Sequence, residues 1–514
     1  MIEDRQANVW DVIVVGAGIA GAATAYRLLE NNPQLRVLIV DRAATSGKKI
    51  GESTVEVSSY FLGRTLNLTE YLTTHHVIKQ GLRFWFSNDA CETLADCSEI
   101  GPSYHVNLPA YQVDRAELDE EVLRRAQALG AEVLRPLRVR SVELQAGGEQ
   151  KVSLKSDFGE ITHTARWVVD ASGPACLLAR QEGWIQPNTR HQTSSIWVRY
   201  KHVLNFDDAK LRDRFPSYSQ RCHGSRNTAT NHITGDGWWS WWIVLKSGEV
   251  SVGVVYDERL VQFPEGLRLP EARMRWLLDT SPLAREILQD VTLVEDSAVY
   301  RGKLPYLSES LAGDGYVLVG DAAGFLDPFY SPGMDWIAFT TGAAVDLIGR
   351  EKGHAKVAKR INTVYRRSYD RWFQALYQDK YLYLGDYDLM RMAMILDLGG
   401  YYYGVVRTLY EKGSCEFLKP VFGELSTAVP FWIIRGYNRR LAKMGASRRA
   451  RGVFGRNNKG KAHKLLSYTL DWRLPIRLIW NLRIWLWLEF TEGWRTWFRK
   501  MEAVVPAPNL RPKR

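Results

Sequence analysis

The sequence predicts an α/β fold in which a parallel sheet is joined to an antiparallel sheet and to a helical C-terminal region. Three observations support this prediction. A buried strand, a tight turn and a helix follow one another at residues 11–30, strand-like periodicity dominates residues 190–301, and helical periodicity dominates beyond residue 348. The 514 residues are enough for two or three closely joined units.

The first element is an apolar run, Val12–Val15, that enters the turn of a GxGxxG pattern. Gly16 would let the chain turn, and Gly18 would let the backbone approach a pyrophosphate. Gly21 would let the helix pack closely on the strand. A second apolar run ends in Asp41, which is placed to bind a ribose hydroxyl. This complete unit predicts a dinucleotide site.

The next segments alternate between loop, helix and strand. Residues 47–53 carry two glycines and two lysines and little apolar pattern, which predicts a loop that crosses a ligand, before a helix that begins near Thr54. Residues 82–86 alternate as a strand with one buried face, and Lys79 stands just before them. Residues 111–133 predict a short strand, an N-cap at Asp114 and an amphipathic helix closed by Gly130.

The remaining segments complete the domain organisation. Strands separated by polar, glycine-bearing turns predict an antiparallel substrate domain at 190–301, and we place Asp236 and His232 in its turns. The chain returns to the first sheet at residues 315–324, where a strand, a turn and a helix start predict a second nucleotide-facing helix. We expect the first domain to span residues 1–189 and 302–348, followed by a helical, basic region at 349–514.

Composition excludes several classes of protein. The five cysteines contain no CxxC pair and the ten histidines show no ligand spacing, so we expect a reducing cytoplasm and no metal. No long uncharged apolar stretch predicts a spanning helix, and the acidic start gives no sign of a signal peptide. The net charge of +11 comes from residues 431–514, which hold 20 Lys and Arg against 4 Asp and Glu.

Three further motifs follow the GxGxxG unit in a specific order. They are QVDRAELDEEV at 112–122, VVDASG at 168–173 and GDAAGFLDP at 320–328. Together they resemble the glutathione-reductase-type FAD fold of single-component flavoprotein monooxygenases. The resemblance implies FAD as the cofactor, and it implies that these residues hold or approach it: Gly16, Gly18, Ala20, Gly21, Asp41, Arg42, Gly51, Glu52, Ser53, Arg115 and Asp321.

The sequence contains a single dinucleotide fingerprint. It therefore shows no separate NAD(P)H domain, and the expected electron source is a separate NAD(P)H-dependent flavin reductase or transiently bound nicotinamide.

Four features are similar to those of flavin-dependent halogenases. They are IGEST at 50–54, WSWWI at 239–243, Lys79 within KQG, and DPFYSPG at 327–333. The resemblance implies that reduced FAD, O2 and chloride or bromide give hypohalous acid, which Lys79 directs at an electron-rich aromatic or similar substrate. It also implies a halide site at Ser331, Pro332 and Gly333. Trp239, Trp241 and Tyr330 are expected to wall the tunnel or the substrate site. Strand alternation predicts that Trp239 and Trp241 share one face while Trp238 and Trp242 share the other.

Three departures from the family pattern, in two motifs, keep alternatives open. Tyr330 stands where tryptophan-specific members carry a glutamate, which argues against free tryptophan as the substrate. Pro332 removes one N–H that would face an anion, and Val244 replaces the proline of the tryptophan motif. A halide-independent hydroxylase of the same fold is the alternative function, and a flavin-binding protein without turnover is the third.

The segment from Leu474 to Met501 mixes five tryptophans with Arg477, Arg483, Arg495, Arg499 and Lys500. Such mixtures suit the boundary between water and lipid, which predicts a peripheral membrane contact. The competing interpretation is a helix that packs on the substrate domain and covers apolar surface with arginine stems. No recognition motif accompanies the charge, so no nucleic-acid partner is expected.

Overall fold

A computed structural model describes residues 9–156, 159–295, 297–465 and 473–498, and it confirms the α/β class. In these ranges the strands are β1 Val9–Val15, β2 Val37–Val40, β3 Val77–Ile78, β4 Leu82–Phe86, β5 Ser98–Pro102, β6 Tyr111–Gln112, β7 Glu132–Leu134, β8 Arg138–Glu143, β9 Gln150–Ser156, β10 Gly159–Asp170, β11 Ile185–Pro187, β12 Thr193–Lys201, β13 Thr230–Gly235, β14 Trp238–Val244, β15 Val250–Asp257, β16 Thr292–Leu293, β17 Val299–Arg301, β18 Tyr306–Ser308, β19 Ala312–Gly313, β20 Tyr316–Leu318, β21 Gly324–Phe325 and β22 Ala462–Leu465.

The helices in the same ranges are α1 Ile19–Asn31, α2 Glu56–Tyr60, α3 Thr69–His75, α4 Arg115–Ala128, α5 Leu177–Gln181, α6 Ala209–Arg214, α7 Pro216–Ser219, α8 Pro270–Leu278, α9 Pro282–Ile287, α10 Gly333–Ile348, α11 His354–Trp372, α12 Tyr387–Tyr401, α13 Arg407–Lys412, α14 Ala428–Ala450 and α15 Arg473–Thr491. Short 3-10 and π-helical turns lie between several of them, and Gly493–Thr496 follows α15 as a 3-10 turn.

The first sheet has the parallel order β7-β2-β1-β10-β20 at its centre. Its central strands are buried on both faces, which explains why the sequence reads there as continuous apolar runs. Parallel strands end at one edge of a sheet, so Gly16, Asp41 and Ala171 meet at the carboxyl edge. That edge positions the site described below.

Helix α4 shows how local sequence signals fix one wall of the site. Its N-cap is Asp114, whose carboxylate accepts a hydrogen bond from the Ala116 N–H at 2.9 Å, as the sequence predicts. The helix begins at Arg115, which is thereby directed toward the sheet edge. Helix α1 lies beside α4 and also contacts α10, where Thr24 and Thr341 hydroxyls are 3.3 Å apart.

The second sheet has the order β16-β12-β15-β14-β13-β4-β5-β22. Most of its pairs are antiparallel, but β4 pairs with β13, and β22 with β5, in parallel. The sheet therefore also takes strands from outside residues 190–301, whereas the domain limits themselves stay predictions. Trp239 and Trp241 lie on one face and Trp238 and Trp242 on the other, which confirms the predicted alternation.

Two predictions about local structure are wrong. His232 is not a turn residue, because β13 begins at Thr230 and pairs His232 with Phe84. The turn consists of residues 236–237, so the prediction holds for Asp236. The second nucleotide-facing helix does not start directly after residues 320–324. A 3-10 turn, the short strand β21 and the DPFYSPG segment intervene, and α10 begins at Gly333.

The C-terminal region is helical except for β22, which joins the second sheet. Helix α12 contacts both α14 and α15, and the Gly399 backbone lies against the Leu478 side chain. No described helix is long and apolar enough to cross a membrane. Arg499 and Lys500, which belong to the predicted basic aromatic segment, lie outside the described residues, as does the side chain of Arg477.

Candidate active site

A cavity of about 1440 Å³ runs along the carboxyl edge of the first sheet and reaches the second sheet. It exceeds the roughly 300–1,000 Å³ typical of small-molecule pockets, so it can hold an elongated ligand. Its walls include these predicted site residues: Gly16, Gly18, Ala20, Asp41, Arg42, Gly51, Glu52, Ser53, Arg115, Trp239, Trp241, Asp321, Ser331, Pro332 and Gly333. Gly21, Lys79 and Tyr330 do not line it.

The glycines of the first turn form a cradle, which leaves no room for a side chain at Gly16 and Gly21. Gly16 has φ +109°, and a Cβ there would stand 2.5 Å from the Ala171 carbonyl oxygen. A Cβ at Gly21 would stand 1.9 Å from the Gly16 oxygen, so Gly21 serves helix–strand packing and does not touch the cavity. A Cβ at Gly18 would have no atom nearer than 3.6 Å. The backbone at the start of α1 is therefore open to the cavity.

The loop of residues 50–54 closes over this cradle. Arg115 donates two hydrogen bonds to Asp119, at 2.9 and 3.2 Å, and a third to the Ile50 carbonyl oxygen at 3.1 Å. Gly51 has φ +99°, and a Cβ there would approach the Arg115 guanidinium to 2.7 Å. Arg115 therefore holds the loop in place at the cavity wall.

Polar groups along the cavity fit FAD. Asp41 accepts backbone hydrogen bonds from Ala17 at 2.7 Å and Ala43 at 2.8 Å, which fixes its carboxylate for a ribose hydroxyl. At the other end, burial raises the pKa of the Asp321 carboxyl, opposed by Arg115. Burial also raises the pKa of Glu52 to about 7 despite its ion pair with Arg199. Within the described residues the buried Glu52 Oε2 has no hydrogen-bond partner, so it can accept one from a ligand.

The N-terminus of α10 faces the same cavity. Pro332 is its N-cap, and Gly333 and Met334 line the cavity with the first turn of the helix. The first N–H groups of a helix have no partner inside the helix and carry partial positive charge, so they attract anions. Tyr330 and Ser331, just before the cap, both have left-handed backbones, with φ 68° and 55°. This strained segment lies where the sequence predicts halide.

The aromatic wall beside α10 is held by a buried hydrogen-bond chain. Trp239 Nε1 donates to the Tyr381 hydroxyl at 2.8 Å, and that hydroxyl donates to Asp327 at 3.0 Å. His191 Nε2 lies 2.7 Å from the same Asp327 carboxylate. The ring of His232 also lines the cavity, and burial lowers its pKa to about 3, so it is neutral at pH 7.

A second cavity of about 130 Å³ lies behind the loop and the halide segment. Pro332 lines both cavities. Lys79 and Tyr330 line only the second one. The structure therefore divides the predicted site residues between the two cavities. The cavities adjoin at Pro332 and at the loop of residues 50–54.

Lys79 joins the two cavities. Its ammonium donates hydrogen bonds to Ser53 Oγ and to the Thr54 carbonyl oxygen, both at 2.8 Å. Ser53 lines the first cavity, whereas Lys79 is buried and lines the second. Burial lowers the pKa of Lys79 to about 8, and the charges of Glu56 and Asp335 oppose this shift.

Three carboxyl groups of the second cavity were missed by the sequence reasoning. Tyr402 donates a hydrogen bond to Glu56 at 2.7 Å, and Tyr330 donates one to Asp397 at 3.1 Å. Burial raises the pKa of Asp335 to about 8. Glu56 and Asp335 each stand two residues after one of the recognised motifs, so proximity in sequence was a usable signal. No local signal marks Asp397, which the fold brings in from α12. No described cluster of His, Cys, Asp and Glu is suited to a metal ion.

Two protein-family models match this chain. The family model described as FAD dependent oxidoreductase matches residues 11–98, and the model described as tryptophan halogenase matches residues 98–378. The flavin-dependent halogenase chlA of Dictyostelium discoideum is 28% identical over 395 residues, 70% of this chain and 62% of that protein. The tetracycline 7-halogenase of Kitasatospora aureofaciens is 27% identical, over 63% of this chain and 60% of its own.

A solved structure of the halogenase PltM, in complex with phloroglucinol and FAD, has a TM-score of 0.70 at 20% identity. The match covers 87% of this chain and 94% of that chain, and it supports the fold.

The fold and the cavity define an FAD-dependent oxidoreductase. The tryptophan halogenase model matches more than half of this chain, so the chain belongs to the tryptophan halogenase family. The chain spans less than two thirds of the length of the curated relatives reported above.

Proposed function

We propose that the protein is an FAD-dependent halogenase that uses chloride or bromide to halogenate an electron-rich aromatic or similar substrate other than free tryptophan. The observation that carries this proposal is the position of Lys79. Its side chain reaches from the small second cavity to Ser53 in the wall of the FAD-sized cavity. A buried lysine at such a junction is suited to receive a small oxidant from one side and to present it to the other.

Bound reduced FAD would supply, with O2, the oxidising equivalent that converts halide to hypohalous acid. The chain's own contribution begins with halide binding at the N-terminus of α10, where Gly333 and Met334 meet the first cavity. Trp239 and Trp241 exclude water and larger molecules from that end of the cavity.

Lys79 then orients the oxidant. An ammonium group has three N–H donors, and two of them are used by Ser53 and Thr54. The third can donate to the oxygen of hypohalous acid, which polarises the oxygen–halogen bond toward the ring. The carbon–halogen bond forms as the oxygen–halogen bond breaks. The departing hydroxide takes the third proton of the Lys79 ammonium and leaves as water, and the ring proton passes to a nearby carboxylate, from which the Lys79 amine recovers its proton. Glu56 and Asp335 are the carboxyl groups that interact with Lys79.

The second cavity limits the substrate. Its volume of about 130 Å³ is close to the roughly 150 Å³ of a cavity that holds benzene, so it is sized for a single six-membered ring. Carboxyl groups and tyrosine hydroxyls in its walls can bind a ring hydroxyl. Tyr330 fills the position where tryptophan-specific relatives carry a glutamate, and its hydroxyl is bound to Asp397. These features favour a small phenol over free tryptophan.

The proposal includes a separate NAD(P)H-dependent flavin reductase, because the chain carries one dinucleotide fingerprint. Cytoplasmic localisation stays a prediction that the five free cysteines support.

The test supplies FAD, a flavin reductase, NADH, bromide and a resorcinol, and measures product mass. We expect a product in which one bromine has replaced a ring hydrogen. Lys79→Met should lower the rate of its formation by a factor of about 10³ or more, because the loss of an essential group usually has an effect of this size. FAD content and circular dichroism check that the variant is folded.

Lys210→Met, at an exposed lysine of α6, is the matched control and should halogenate like the parent. Oxygen incorporation that does not require bromide would instead establish the hydroxylase. No product, and oxygen consumption no faster than with free reduced flavin, would establish a flavin-binding protein without turnover.

A further inference from the structure

Helix α15 and the turn after it expose an apolar surface, which we call the tryptophan face. It consists of Ile479, Trp480, Trp487, Phe490, Trp494 and Phe498. Trp487 is 61%, Phe490 69% and Phe498 96% exposed. Soluble monomers rarely expose so many large apolar side chains together, so such a surface indicates a binding partner.

The orientation of α15 is fixed from its opposite side. Asn481 is buried and donates hydrogen bonds to the Met392 carbonyl oxygen at 3.0 Å and to the Tyr437 hydroxyl at 3.1 Å. Leu488 and Glu489 are buried on the same side. The helix therefore cannot turn its apolar residues inward without breaking this packing.

The neighbouring helix α14 also exposes apolar side chains. Its first turns expose Val429, Trp432 and Ile433, each more than half exposed. The rings of Tyr437 and Trp485, 5.4 Å apart, join the two helices. Exposed apolar side chains are therefore found on two helices that pack together.

Arginine side chains lie against the exposed tryptophans, whereas the nearby carboxylates form buried ion pairs. Arg483 lies 5.4 Å from the ring centre of Trp480, and Arg495 lies 5.3 Å from that of Trp494. Glu489 pairs with Arg440 at 2.6 Å, and Glu492 pairs with Arg448. Glu489 and Glu492 are the acidic residues in the described part of residues 431–498, and both are buried. The exposed charged side chains of this part are therefore cationic.

We propose that the tryptophan face docks on the surface of a lipid bilayer that contains anionic lipids. Tryptophan rings favour the headgroup region, apolar side chains favour the acyl boundary below it, and arginines pair with anionic headgroups. A second copy of the chain fits less well, because its own arginines would meet the same charge. This proposal does not depend on the halogenase activity.

The test is sedimentation of the full-length protein with lipid vesicles. At about 0.01 M salt, where charges interact over roughly 30 Å, we expect the protein to pellet with phosphatidylglycerol-containing vesicles and much less with phosphatidylcholine alone. At about 1 M salt, where that range falls to roughly 3 Å, we expect substantial release. A blue shift of tryptophan emission should accompany binding.

The variant Trp480→Glu/Trp487→Glu places two carboxylates on the face and should weaken vesicle binding by about tenfold or more. Leu269→Glu is the matched control, because Leu269 is an equally exposed apolar residue far from this segment in sequence, and it should bind like the parent. FAD content and thermal unfolding should be unchanged in both variants.

Two results would overturn the proposal. One is a protein that stays in the supernatant with anionic vesicles at low salt. The other is a parent protein that forms a dimer in solution, measured by light scattering, which the double variant dissociates while vesicle binding is unchanged.

Discussion

Lys79 shows how burial changes the chemistry of one residue. A lysine in water is an ammonium at all ordinary pH values, but burial lowers the pKa of this one to about 8. Its hydrogen bonds to Ser53 and Thr54 use donors and hold the nitrogen at one point. The same burial raises the pKa of Asp335 to about 8, and the charge of each group affects the pKa of the other.

The proposed role of the ammonium predicts a pH dependence. Below pH 8 Lys79 keeps its third donor, and as pH rises through about 8 it loses a proton. We therefore expect kcat/KM for halogenation to fall as pH rises through this range, measured with chemically reduced FAD so that no reductase contributes. A rate that rises through pH 8 would show that the neutral amine acts.

Glu56→Gln should move this limb of the pH profile. Glu56 raises the pKa of both Lys79 and Asp335. Removing its charge should therefore move the midpoint of the falling limb to lower pH by about one pH unit. The amide oxygen can still accept the hydrogen bond of Tyr402. Glu70→Gln, at an exposed residue of α3, is the control and should leave the limb in place.

At the scale of elements, the unit β1–turn–α1 depends on backbone proximity. Strand and helix approach so closely at Gly21 that a Cβ would overlap the Gly16 carbonyl oxygen. The N-terminus of α1 is thereby directed at the cavity. FAD binding and the packing of this unit are consequently linked.

Gly21→Ala should destabilise this unit. We expect the free energy of unfolding to fall by about 3 kcal/mol, since the overlap is with backbone, and FAD to be retained poorly on gel filtration. Gly436→Ala is the matched control, because Gly436 is an exposed residue of α14 with open space around it. It should be neutral or stabilising by up to about 1 kcal/mol. Equal losses in both variants would contradict the explanation.

At the scale of the whole molecule, one buried arginine joins the two sheets. Arg199 on β12 forms ion pairs with Glu52 in the FAD loop, with Asp114 at 2.8 Å at the cap of α4, and with Glu249 at 3.1 Å. The loop above the cofactor cradle is therefore fixed by the second sheet.

Arg199→Ala should cost about 3–5 kcal/mol in the free energy of unfolding, because it leaves the buried Glu52 carboxyl group without its ion-pair partner. Urea unfolding at a fixed FAD concentration measures this. Arg214→Ala, which removes an exposed pair with Glu286, should change stability by less than about 1 kcal/mol. A small effect at Arg199 would show that the two sheets are held mainly by apolar packing.

Local sequence signals determined the dinucleotide turn, the N-cap at Asp114 and the two faces of the tryptophan strand. Each of these follows from neighbouring residues, because turns, caps and strand alternation are set within a few residues. The family assignment rested likewise on short motifs that stand complete in the chain. His232 and the start of α10 show the limit of this reasoning. His232 lies in a strand because β13 pairs with β4, which is distant in sequence, and α10 begins at Gly333 because β21 and the DPFYSPG segment precede it.

Only the tertiary structure decided that Lys79 lies in a cavity separate from the FAD cradle and in contact with Ser53. It also brought Asp397 from α12 to the same cavity, and it left the apolar side of α15 exposed. Burial and its effect on pKa depend on every element that packs around a residue. The sequence by itself therefore determined the class of protein and its candidate residues, whereas the packing of the sheets and helices determined which of those residues meet.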